Sequence, residues 1–109
     1  MVDRDAGALA RLGKDWHGDF VAGHALDVDV LERAGIASAD AAIAAPSGDN
    51  TNIVVAQVAK RRYEVPSVAA RILDPARAEF YAGHGFDVVS PTRTAIAELA
   101  DWVKAGRFA

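Results

Sequence analysis

Polar groups with chemical potential stand behind apolar runs at four places in this sequence. Asp3 follows Val2, Gly23-His24-Ala25 follows Phe20-Val21-Ala22, Pro46-Ser47 follows Ala41-Ala42-Ile43-Ala44-Ala45, and Arg71 lies near the end of Ser67 to Ile72. They supply a carboxylate, an imidazole, a hydroxyl and a guanidinium. A guanidinium is a planar fork of donors suited to phosphate oxygens, and it serves equally well in an ion pair with a helix or subunit carboxylate. Asp3 has two readings as well: a ligand-holding carboxylate, or a capping or solvated group beside a helix start.

Other chemistries find little support. The chain has no cysteine, which removes disulfides, thiolate metal sites and a cysteine nucleophile. Tyr63 is followed by Glu64-Val65-Pro66-Ser67 and Tyr81 by Ala82-Gly83-His84-Gly85, so neither has the lysine four residues on that a short-chain dehydrogenase requires. A G-x-S-x-G elbow is absent. His17, His24 and His84 are too widely spaced for a local metal motif and read as loop or core imidazoles. Ser47, Asp49, Asn50 and Asn52 read as helix-capping groups. No catalytic constellation emerges, and the expectation is a non-enzyme.

The elements that must position these residues are well punctuated. Asp5 caps a helix through Leu9 and Leu12, stopped by Gly13, and Asp27 caps a second from Val28 to Ala34, stopped by Gly35. Ala41 to Ala45 is apolar on both faces, as a strand buried in a parallel sheet would be. A third helix runs from about Asn50 to Arg62, with Thr51, Val54, Val55 and Val58 on one face and Lys60, Arg61 and Arg62 at its end. Asp74-Pro75 and Ser90-Pro91 are cap-proline signals before two more helices, to about Tyr81 and Lys104, and Phe86 to Val89 is a strand between them. Strands alternating with helices through short turns predict a parallel α/β sheet. On the last helix Ile96, Leu99, Trp102 and Val103 form one stripe, of which Ile96 and Leu99 are expected to pack in the core.

Composition agrees with a single soluble domain. The 109 residues are 51% hydrophobic and 25% charged, and 24 of them are alanine, so the core must be built from small side chains. A net charge of -3 argues against coating nucleic acid or anionic lipid. No apolar run is long enough to span a bilayer, and the charged start Met1-Val2-Asp3-Arg4-Asp5 is unlike a signal peptide.

In an open parallel sheet, ligands bind outside the carboxyl ends of the strands, and all four places above fall at predicted strand ends. An acidic residue closing the second strand of a dinucleotide-binding fold takes the ribose hydroxyls, roughly 20 residues after a G-x-G-x-x-G turn. Val2-Asp3 looks like the end of such a strand, but the glycine-rich turn is nowhere in the chain.

Taken in order, Val2-Asp3-Arg4-Asp5, Gly23-His24-Ala25, Leu31-Glu32-Arg33-Ala34-Gly35, Ala39 to Ala45, Asp49-Asn50-Thr51-Asn52, Val65-Pro66, Ala70-Arg71-Ile72 with Asp74-Pro75, and Gly85 to Pro91 resemble the TrkA-N family, also called RCK or KTN domains, which regulate potassium uptake and conductance. The resemblance covers nearly the whole chain and starts at the end of the family's second strand. It implies a Rossmann-type α/β domain, a parallel sheet with helices on both faces, N-terminally truncated by the loss of its first β-α unit. It further implies binding of NAD(H) or ATP/ADP. Asp3 would hold the adenosine ribose, His24 and Ala25 would flank the adenine, Pro46 and Ser47 would line the crevice, and Arg71 would face phosphate or nicotinamide-side groups. The implied role is a non-enzymatic regulator, one homo-oligomeric domain at the inner face of the cell membrane, held there by a potassium transporter or channel subunit. The alternative is a fragment of an NAD-dependent oxidoreductase. Because the first strand of this fold is central, the sheet without it must close a gap, borrow a strand or stay partly open.

Overall fold

The caps expected at Asp5, Asp27, Asp74 and Ser90 form through short-range hydrogen bonds. In the computed structural model, which describes residues 1–45 and 48–106, the Asp5 carboxylate accepts from the Gly7 amide at 2.8 Å and opens a 3-10 helix, Ala6–Leu12. Asp27 accepts from Asp29 N–H at 2.9 Å and opens α1, Val28–Arg33. Asp74 and Ser90 accept from Arg77 and Arg93 N–H, both at 3.3 Å, and the prolines behind them begin α3, Pro75–Tyr81, and α4, Pro91–Lys104. Between these lie α2, Asp49–Gln57, and the strands β1 (Val2–Asp3), β2 (Val21–Ala22), β3 (Ala41–Ala44), β4 (Ser67–Arg71) and β5 (Asp87–Val89). The helix α2 ends in a wide turn, Val58–Arg62, in which Tyr63 N–H reaches the Val58 carbonyl.

All strand pairs are parallel, but they fall into two sheets, β1-β2 and β3-β4-β5. Parallel sheets with helices around them are a Rossmann-type α/β fold. Matched to the doubly wound strand order 3-2-1-4-5-6, the two sheets are strands 3-2 and 4-5-6, so the division falls where strand 1 belongs. The sheet stays open rather than closing over that position. The radius of gyration is 16.5 Å, against roughly 13 Å for a compact chain this long.

Small side chains let the layers approach closely, as the alanine content demanded. Ala44, Ala56, Ala59, Ala70 and Ala78 are buried in one cluster with Leu31, Ile53, Val65, Val68, Ile72 and Phe86. Strand alternation sends Ala44, Val68 and Ala70 into this cluster, with Ala42 and Val88 packed against it.

Three expectations need correction. The face of α2 that meets the sheet carries Asn52, Ile53, Ala56 and Ala59; Val54 is exposed, Thr51 half-buried, and Val55 and Val58 only flank the core. The reason is polar: Asn52, 1% exposed, donates to the Arg71 carbonyl at 3.0 Å and turns its own side of the helix inward. Strand β3 is not buried on both faces, since Ile43 is 78% exposed at the open edge. Helix α4 buries none of its residues, and Ile96 and Leu99 are 56% and 66% exposed rather than core.

Helix α2 is tied to the β4–α3 turn at its first residue. The Asp49 carboxylate accepts from Leu73 N–H at 2.7 Å and Asp74 N–H at 2.9 Å. These bonds, that from Asp74 foremost, hold its carboxyl below the ordinary value against a small opposing effect of burial, helped by the charges of Arg77 and Arg71. A depressed carboxylate stabilises the fold at pH values above its unfolded pKa, and that contribution is lost as pH falls through the folded one. Asp49→Ala should therefore cost about 1 kcal/mol at pH 7, with the gap to the parent closing below about pH 4 in denaturant melts. Asn52→Leu, which strands a carbonyl beneath the helix, should cost roughly 1–3 kcal/mol at every pH.

Candidate functional site

Parallel pairing of β1 with β2 brings the first two candidate positions together. Gly23 N–H donates to the Asp3 carbonyl at 2.9 Å, which sets Asp3 beside the turn that begins at Gly23. That turn lies close against α1. A Cβ on Gly23 would sit 2.6 Å from a Val30 methyl carbon, so the position excludes any larger residue unless the helix shifts. Val30 is itself buried.

The side chains are oriented by local hydrogen bonds. One Asp3 oxygen, Oδ1, accepts from Asp5 N–H at 2.8 Å, which fixes the carboxylate at the strand end. The His24 ring nitrogen Nδ1 accepts from Leu26 N–H at 3.1 Å. A nitrogen that accepts carries no proton, so the neutral ring bears its hydrogen on Nε2 and offers that atom as a donor.

Asp3, His24 and Ala25 line one pocket of about 270 Å³, together with Val2, Gly23, Arg4 and Arg11. Ligand sites run from about 300 to 1,000 Å³, and this one falls just below that range. The pocket offers a carboxylate acceptor and an N–H donor beside apolar Val2 and Ala25. Arg4 and Arg11 were not singled out in the sequence. Arg11 reaches the pocket because the 3-10 helix carries it back over Asp5, whose carboxylate it meets at 2.8 Å. Both groups of that pair are well exposed, so the pair itself adds little stability. Arg4 could have been flagged by adjacency to Asp3 alone; nothing at sequence level marks Arg11.

Arg71 does not line this pocket. It closes β4 in the other sheet, half-buried, with its carbonyl held by Asn52 and its charge helping to keep Asp49 ionised. Pro46 and Ser47 lie outside the described residues. Asp49, Asn50 and Asn52 do not cap their own helix: the first two reach the β4–α3 segment through Leu73, Asp74 and Arg77, and the third holds β4.

The model of the TrkA-N domain matches residues 1–91. The chain belongs to the TrkA-N family. It is 45% identical over 93 residues, 85% of its length, to the Trk system potassium uptake protein TrkA of Streptomyces coelicolor. It is 35% identical over 100 residues, 91% of its length, to a TrkA homolog of Methanothermobacter thermautotrophicus, and 37% identical over 75 residues, 69% of its length, to the TrkA of Vibrio alginolyticus. It spans only 42%, 46% and 16% of the lengths of these relatives. Among the described residues of this TrkA-N chain, no helix is long and apolar enough to cross a membrane.

The tautomer assigned to His24 is directly observable. Nitrogen-15 spectra at neutral pH should show a protonated Nε2 and an unprotonated Nδ1. The reverse pattern would mean that Leu26 N–H does not hold the ring.

Proposed function

We propose that this chain is the nucleotide-sensing part of a potassium uptake regulator, binding NAD(H) or ATP/ADP without catalysing a reaction. The observation that carries the reading is the pocket of Asp3, His24 and Ala25 at the carboxyl ends of β1 and β2, in a chain that matches the TrkA-N domain over residues 1–91. The names of the relatives supply the physiological setting, potassium uptake. The partner is a membrane potassium transporter or channel subunit, which holds the domain at the inner face of the cell membrane, and the working state is a homo-oligomer.

On this reading Asp3 accepts from the ribose hydroxyls, His24 Nε2–H and Ala25 border the adenine, and Pro46-Ser47 and Arg71 serve the phosphate side. The chain's own residues bind and orient the ligand. A ligand reaching from the Asp3 pocket to Arg71 touches both sheets, and it favours whichever arrangement of the two it binds better. The partner responds to that arrangement.

The adenosine contacts lie within this chain, so adding ADP or NADH should shift the His24 and Ala25 resonances saturably, and Asp3→Ala should abolish the shifts. Arg71→Ala should weaken binding by about tenfold to a hundredfold, the worth of a charge-assisted bond to phosphate, and leave the melting temperature unchanged. A lower melting temperature with normal affinity would instead make Arg71 an ion-pairing residue. Nucleotide that disturbs none of the pocket residues would overturn the proposal, and hydride transfer from bound NADH to an added carbonyl compound would favour the oxidoreductase.

A further inference from the structure

A second cavity, of about 370 Å³, lies at the amino ends of β4 and β5, whereas the Asp3 pocket lies at the carboxyl ends of β1 and β2. Its size falls among small-molecule sites, which run from about 300 to 1,000 Å³. Pro66, Val68 and Phe86 give it apolar walls, and Lys60 and Asp87 bring opposite charges to it. Gly83 and Gly85 complete the lining with backbone alone. Their φ angles, 87° and 96°, keep both in the region that disfavours side chains.

Lys60 is placed by the wide turn that ends α2. There Tyr63 N–H bonds to the Val58 carbonyl, one residue further back than in an α-helix, a feature that recurs at functional sites. Lys60 is half-buried, and a Cβ on Gly85 would stand 3.7 Å from its Cγ, in ordinary contact. Its Nζ donates to the Pro66 carbonyl at 3.2 Å. An ammonium has three donors, so two remain for a ligand. Asp87 is the first residue of β5 and is exposed. Among the described residues it forms no ion pair with Lys60, although both border the same cavity.

That arrangement selects by charge. A simple anion would meet the Asp87 carboxylate, and a simple cation would meet the Lys60 ammonium. A ligand carrying both signs satisfies both groups, and an apolar part of it lies against Val68 and Phe86.

We propose that this cavity binds a zwitterionic amino acid with an apolar side chain, its carboxylate on Lys60 and its ammonium on Asp87. The site is separate from the Asp3 pocket and does not depend on what that pocket takes. Its occupant joins the end of α2 to the start of β5.

The test titrates L-leucine into the full chain without nucleotide and follows the amide spectrum residue by residue. Gly83, Gly85 and Asp87 should shift saturably, with His24 and Ala25 unmoved. Leucinamide lacks the carboxylate and N-acetyl-leucine lacks the ammonium. Each should bind about tenfold more weakly, the worth of one charge-assisted bond. Asp87→Asn, at an exposed position, should keep the parent melting temperature and weaken leucine binding by a similar factor, as should Lys60→Met. Four results would overturn the proposal: no saturable shift, shifts centred on His24, an equal response to leucine and both blocked forms, or parent-like binding by Asp87→Asn. Nucleotide is left out throughout, so each of them leaves the sensing role to be judged on its own.

Discussion

Two side chains in the first turn of α2 fix the end of β4, and much of the structure follows from that tie. Asn52 donates to the last carbonyl of the strand, and Asp49 accepts from the two amides just beyond Ile72. Together they satisfy backbone groups that would otherwise be stranded where a strand leaves the sheet. They also set the rotation of α2, bringing Ala56 and Ala59, both fully buried, against the sheet. With no side chain beyond Cβ at these positions, helix and sheet approach closely, and Ile53, Val65, Val68 and Ile72 close the remaining space. Larger residues at Ala56 or Ala59 would push the helix away and break the polar tie, so packing and hydrogen bonding depend on each other here.

What could be read from the sequence was what depends on near neighbours. Asp5, Asp27, Asp74 and Ser90 were legible as caps because a cap is a bond over two or three residues. The face of α2 was misread because Thr51, Val54, Val55 and Val58 make the more hydrophobic stripe by residue type. The helix instead turns inward a stripe containing Asn52, whose partner at Arg71 is 19 residues away. Nothing local announces such a bond. Burial of β3 was misjudged for a related reason: Ala41 to Ala45 has the composition of an interior strand, but among the described residues β3 pairs with β4 alone. The stripe on α4 was equally legible as apolar and equally silent about what covers it, since Ile96, Leu99 and Val103 are all more than half exposed. Hydrophobic pattern identifies a surface that needs a partner; it does not say whether the partner is within the chain.

At the candidate site the same distinction holds. Asp3, His24 and Ala25 come together because parallel pairing aligns the ends of neighbouring strands, a consequence of topology that strand-end reasoning captures. Arg11 enters the pocket by folding back from a helix, through a pairing with Asp5 that the sequence does not encode in any recognisable spacing. The pocket is lined by one carboxylate, Asp3, and two guanidiniums, Arg4 and Arg11, of which Arg11 is paired with Asp5 outside the lining. Asp3 and Arg4 are adjacent opposite charges in that lining.

The division of the sheet bears on how such a site could signal. A continuous sheet transmits little relative motion, since moving one half against the other breaks ladder hydrogen bonds. Here β1-β2 and β3-β4-β5 share no ladder, and the link between them is α1 and the segment after it, whose Leu31 and Ile36 sit in the core cluster while Val30 packs against Gly23. The Tyr63 hydroxyl adds a bond from the end of α2 to Glu32 on α1 at 2.7 Å. A ligand shifts a two-state equilibrium only by its difference in affinity for the states. On the proposed reading it has to hold groups on both sheets, and Asp3 on β1 and Arg71 on β4 are the charged candidates.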